Sequence, residues 1–100
     1  MIAVPSEAER MLRLQRKKEH LLSLSPHALR LSAALQNDRP EVWAEYRETV
    51  KAEGVIRGAV SDVIREKSRE LFPGRKLVDL NDIMLRMNQI VAAEFGRDQI

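Results

Sequence analysis

One hundred residues, 44% hydrophobic and 32% charged, suffice for one packed domain and are too few for two, and the aliphatic share exceeds that of a disordered tail. The absence of cysteine excludes disulfides, thiolate nucleophiles and thiolate metal sites. The net charge of +2 is unevenly placed: residues 1–36 hold six Lys/Arg against three Glu, and residues 37–100 hold eleven against twelve acids, so the basicity is N-terminal.

Met1-Ile2-Ala3-Val4-Pro5 gives way to charged residues without the apolar run of a signal peptide. No stretch approaches the length needed to span a bilayer. The expectation is a cytoplasmic chain with no membrane partner.

The first helical segment is expected from about Glu7 to Leu24. Ser6 is a good cap, and Glu9, three residues on, completes a capping box. On a helical wheel Ala8, Met11, Leu14, Leu21 and Leu22 share one face, with Lys18 among them. Arg10, Arg13, Arg16, Lys17 and His20 take the opposite side. A second segment, about Pro26 to Gln36, follows with Ser25 as cap and Leu29, Leu31, Ala34 and Leu35 as its buried side. A third opens at Asp38 with Pro40 in the first turn and Glu41 completing another box. It lines up Val42, Trp43, Tyr46 and Val50, and ends at Gly54 in a left-handed cap.

The fourth segment, roughly Val55 to Leu71, is expected to bury Ile56, Ala59, Val60, Val63, Ile64 and Leu71. Its weak start leaves one continuous helix from Pro40 to Leu71 as the alternative. Phe72-Pro73-Gly74-Arg75 is a firm break, and Lys76 to Val78 read as extended. The fifth segment, Leu80 to Phe95, is capped by Asp79 and stopped by Gly96. Leu80, Ile83, Met84, Met87, Ile90, Val91 and Phe95 give it the widest apolar face, with Leu85 off that face. With no alternating strand pattern, hairpin signal or repeat, the fold class is all-α: a compact bundle of four to five helices forming a single domain over residues 1–100.

The side chains that would carry catalysis do not converge in the sequence. The two histidines, His20 and His27, are not a helical pair and have no metal-site spacing beside them. Four scattered glycines make no phosphate loop. Glu41, Glu45 and Glu48 read as a solvated helix face. A non-enzymatic chain is expected, with no catalytic residue, cofactor or metal.

Three features bear on binding. Arg10, Arg13, Arg16 and Lys17 form a basic helix side able to track phosphates, although no aromatic residue interleaves them to stack bases. Met84 and Met87 belong to a face broad enough for a core or a homodimer interface, and Leu85, off that face, joins them as a possible interface residue. Trp43 and Tyr46, one turn apart, read as core anchors of a type that also dominates interfaces. A helix-turn-helix over the second and third segments fails, because its recognition helix would carry Glu41, Glu45, Glu48 and Glu53 towards phosphates. The preferred expectation is a small helical protein-interaction module. Such a module would bind, inhibit or regulate a larger protein complex, as small phage or bacterial antagonists of nucleic-acid-handling assemblies do. The alternative is a small DNA- or RNA-binding regulator using the basic side of the first helix.

Overall fold

The computed structural model describes residues 6–55 and 58–97. In chain order the helices are α1 (Glu7–Ser23), α2 (Ser25–Asp38), α3 (Pro40–Glu53), α4 (Gly58–Leu71) and α5 (Leu77–Glu94), with no strand among the described residues. The structure is therefore all-α.

α5 organises the core. Its Leu80, Ile83, Met84, Met87, Val91 and Ala92 meet Ala28, Leu31 and Leu35 of α2, Val42, Tyr46 and Val50 of α3, Val60 and Ile64 of α4, and Phe72 beyond them. Every pair among α2, α3, α4 and α5 is in contact, whereas α1 touches only α5 and α2. The domain is thus a four-helix core with a fifth helix attached at one side.

One buried polar tie locks the α3 terminus to α5. Gly54 adopts φ 81°, and its N–H donates to Val50 O at 2.7 Å. The Asn88 amide donates to Gly54 O at 2.9 Å, and the Tyr46 hydroxyl lies 3.5 Å from Asn88 Oδ1. Asn88 therefore bonds the backbone at the turn and meets the one hydroxyl buried beside it, so neither group is stranded in the apolar interior. Burial pushes the Tyr46 phenol well above its ordinary pKa, with the Glu94 charge adding to the effect.

Several expected boundaries shift, each for a local reason. Ser25 lies inside α2 and does not cap it; its hydroxyl donates to Leu22 O at 2.8 Å and accepts from Arg86 Nε at 2.8 Å. Asp38 is the last residue of α2, and the break falls on Arg39 (φ -137°, ψ 61°), where the clash with the Pro40 ring disfavours helical geometry. The expected Asp38–Glu41 box is replaced by two ion pairs. Asp38 accepts from Lys67 at 2.9 Å, and Glu41 from Arg39 at 2.8 Å, which lowers the Glu41 pKa. Lys67, held also by Glu70 at 3.2 Å, has its pKa raised by both carboxylates.

α5 begins at Leu77, so Leu77 and Val78 are helical and not extended. Asp79 sits in its first turn, where a carboxylate favours the N-terminal dipole, and is not the cap. Gly96 ends the helix as expected, through Gly96 N to Ala93 O and Arg97 N to Ala92 O. Leu29 and Ala59, expected inside, are exposed, and Ala28 fills the α2 core position. Ile56 lies outside the described residues. α3 and α4 are separate helices, so the continuous alternative is not adopted.

Two substitutions test this core in urea unfolding. Gly54→Ala is expected to destabilise by about 1 kcal/mol, because alanine resists the left-handed conformation; a stabilising effect would mean a helical residue 54. Met87→Asp, which places a carboxylate at a position only 1% exposed, is expected to cost about 3 kcal/mol or more.

Candidate interaction surface

α1 starts where its sequence dictates: the Ser6 hydroxyl accepts from Glu9 N–H at 3.2 Å. Its attachment to the bundle lies wholly at the other end. Leu21 is the only buried residue of α1, and His20 Nε2 lies 3.1 Å from Asp82 Oδ2 on α5. Residues 6–20 are all exposed. The helix therefore projects from the domain, consistent with a radius of gyration of 15.2 Å and a long axis of 52 Å, against about 13 Å for a compact chain of this length.

The consequence is an apolar face with nothing on it. Met11 is 64% exposed, Leu14 68% and Leu22 44%. Together with Gln15, Lys18 and Glu19 they line a shallow open depression along the helix. The sequence pattern correctly marks these residues as one amphipathic face. The expectation that the chain's own core covers that face is corrected, since only Leu21 is taken inside.

Arg10, Arg13, Arg16 and Lys17 are where the wheel put them, exposed on α1. Among the described residues none of them makes an ion pair or a side-chain hydrogen bond, whereas Arg65, Lys67 and Arg69 of α4 each hold a carboxylate. The α1 cations thus keep their full charge available to a partner.

The second candidate surface divides. Met84 and Met87 are 5% and 1% exposed and belong to the core, so they are not presented to a partner; Leu85 is exposed. Leu85 and Val78, also exposed, lie within one turn of Asp82 on the same side of α5. Leu85 and Val78 therefore flank the Asp82 position where α1 attaches. Trp43 packs edge-on against Tyr46 at 5.3 Å between ring centroids and is half-buried, an anchor of the core.

His27 is engaged at one edge of its ring. His27 Nε2 is 3.1 Å from an Arg75 nitrogen and its ring is 5.2 Å from Phe72. Because arginine only donates, Nε2 is the acceptor in that contact, while the buried Nδ1 has no hydrogen-bond partner among the described residues. A depression of about 230 Å³ between α2, α3 and α5 includes Trp43, Arg47 and Glu94, below the roughly 300–1,000 Å³ of ordinary small-molecule sites. Its two charged residues are bonded to each other at 2.7 Å. No cluster of metal-ligating side chains and no helix able to cross a membrane occurs among the described residues.

No known family, curated protein or solved structure matches this chain. Its functional reading rests on its own surface.

If the α1 face is uncovered, Met11→Gln and Leu14→Gln should each change unfolding free energy by less than about 0.5 kcal/mol, while Ile64→Ala in the core should cost about 2–4 kcal/mol. Core-like losses at Met11 and Leu14 would show that the bundle covers them.

Proposed function

We propose that this chain acts by binding and not by catalysis, and that α1 is the helix with which it docks on a larger protein. The observation that carries this reading is the contiguous apolar stripe of Met11, Leu14 and Leu22, exposed on a helix whose other side holds unpaired cations. An amphipathic helix laid into an apolar groove is a common mode of protein recognition, with anchors spaced three, four and seven residues apart. Arg10 and Lys17 border that stripe, so the groove it fits has an acidic margin that speeds encounter. An inhibitor or regulator that works by filling such a groove requires little beyond this helix, held in place by a stable bundle.

The second reading is a nucleic-acid-binding regulator, favoured by the four unpaired cations Arg10, Arg13, Arg16 and Lys17. Phosphate contacts would use that side of α1 and leave the apolar stripe in water, which is why the protein partner is preferred.

The test places a photo-crosslinking residue at Gln15 and captures adducts in native lysate before and after nuclease treatment. The expected result is a nuclease-resistant protein adduct that Met11→Asp/Leu14→Asp abolishes. Reversal of Arg10, Arg13, Arg16 and Lys17 to Glu should slow capture while preserving the fold, since exposed charges contribute only tenths of a kcal/mol each. Steeply salt-dependent duplex binding, lost in the reversed variant, together with no protein adduct, would overturn the proposal in favour of the second reading.

A further inference from the structure

The exposed stripe of α1 has a property that an arbitrary amphipathic helix lacks: it is complementary to itself. Glu7, Met11, Leu14 and Lys18 follow one another at intervals of four, three and four residues, and at 3.6 residues per turn they fall within an arc of about 60°. All are exposed, and among the described residues neither Glu7 nor Lys18 has an ion-pair partner. The order is acid, apolar, apolar, base.

We propose that a second copy of this chain occupies the stripe, with the two α1 helices packed antiparallel about a two-fold axis between residues 12 and 13. In that register Met11 meets Leu14 of the other copy, and Leu14 meets its Met11. Glu7 meets Lys18 at each end, so the two apolar layers are closed by two symmetric ion pairs. These spacings are those of the a and d positions of a coiled coil, where antiparallel layers join an a residue to a d residue. On the flanks Gln15 lies beside Ala8 of the other copy and Arg10 beside its Lys17, so the Glu7–Lys18 pairs are the contacts that favour this register.

Charge decides the orientation. A parallel pair in register would set Glu7 against Glu7 and Lys18 against Lys18. Like charges across a helical seam select against a pairing mode as firmly as opposite charges select for one. The attachment of α1 also suits the antiparallel pair. Each helix joins its bundle near His20 and Leu21, so the two bundles sit at opposite ends of an overlap of roughly 17 Å. Because the overlap is short, the dimer is weak, at the low end of specific interfaces, and dissociates on dilution. The pairing rests on the reading of α1 as a contact helix, and it hides the same stripe that a larger partner would take.

Sedimentation velocity over a range of concentrations, with a charge swap, tests this. Wild type should pass from monomer to dimer as concentration rises. Glu7→Lys and Lys18→Glu should each weaken dimerisation by about tenfold or more, since each change turns two attractive contacts into two repulsive ones. Glu7→Lys/Lys18→Glu should restore it. All three lie on exposed positions, so their melting temperatures should match wild type as monomers.

Orientation is read by thiols, which the native chain lacks. A mixture of Met11→Cys and Leu14→Cys proteins should oxidise chiefly to the mixed disulfide if the helices are antiparallel. Predominance of the two homodisulfides would overturn the proposal. A chain that stays monomeric throughout, or a dimer indifferent to the charge swap, would overturn it as well. If crosslinking at Gln15 still captures a larger protein in a Met11- and Leu14-dependent way, the docking reading survives that outcome. If a charge-sensitive antiparallel dimer forms and no larger protein is captured, self-pairing stands and docking on a larger partner falls.

Discussion

The apolar face of α5 is covered by α2, α3 and α4, and what remains for α1 is the side that carries Asp82. That allocation determines the rest of the molecule. A core built on Ile83, Met84, Met87 and Val91 closes without help from α1. The first helix is then fixed by Leu21 and the His20–Asp82 contact, and the rest of its apolar face stays in water. A helix of this length is only marginally stable by itself, so its persistence away from the bundle depends on the Ser6 cap and on whatever covers its stripe.

Much of this was legible in the sequence. Proline, glycine and the amphipathic periods gave five helices in order, the break at Phe72–Arg75, the left-handed cap at Gly54 and the stop at Gly96. The errors have physical causes. A helical wheel reports that Met11, Leu14 and Leu22 share a face but says nothing of what lies against it; α1 and α5 carry the same kind of stripe and meet opposite fates. Asp38 looked like a cap because of its spacing to Glu41, yet the restriction that Pro40 places on Arg39 fixes the break one residue later. Lys67, distant in sequence, then takes the Asp38 carboxylate.

The buried polar residues were missed for a related reason. Asn88 and Ser68 are polar by type and residue type alone gives them no part in the core, yet Asn88 lies in line with Met84 and Val91, and Ser68 in line with Ile64. Ser68 satisfies its hydroxyl on Ile64 O at 3.1 Å, and Asn88 bonds the backbone of the α3 turn. A polar residue inside an apolar stripe was the available signal. The basic side of α1, by contrast, was located correctly, because exposure of a helix's charged face follows from composition alone.

The account turns on one claim, that residues 7–19 of α1 are uncovered in the isolated chain and become covered on association. Amide hydrogen exchange followed by mass spectrometry at two protein concentrations measures this directly. In dilute protein the amides of α1 before His20 should exchange far faster than those of α2 to α5, and raising the concentration should protect α1 alone. Protection of α1 equal to that of the core at the lower concentration would contradict the account, because it would place that stripe inside the bundle.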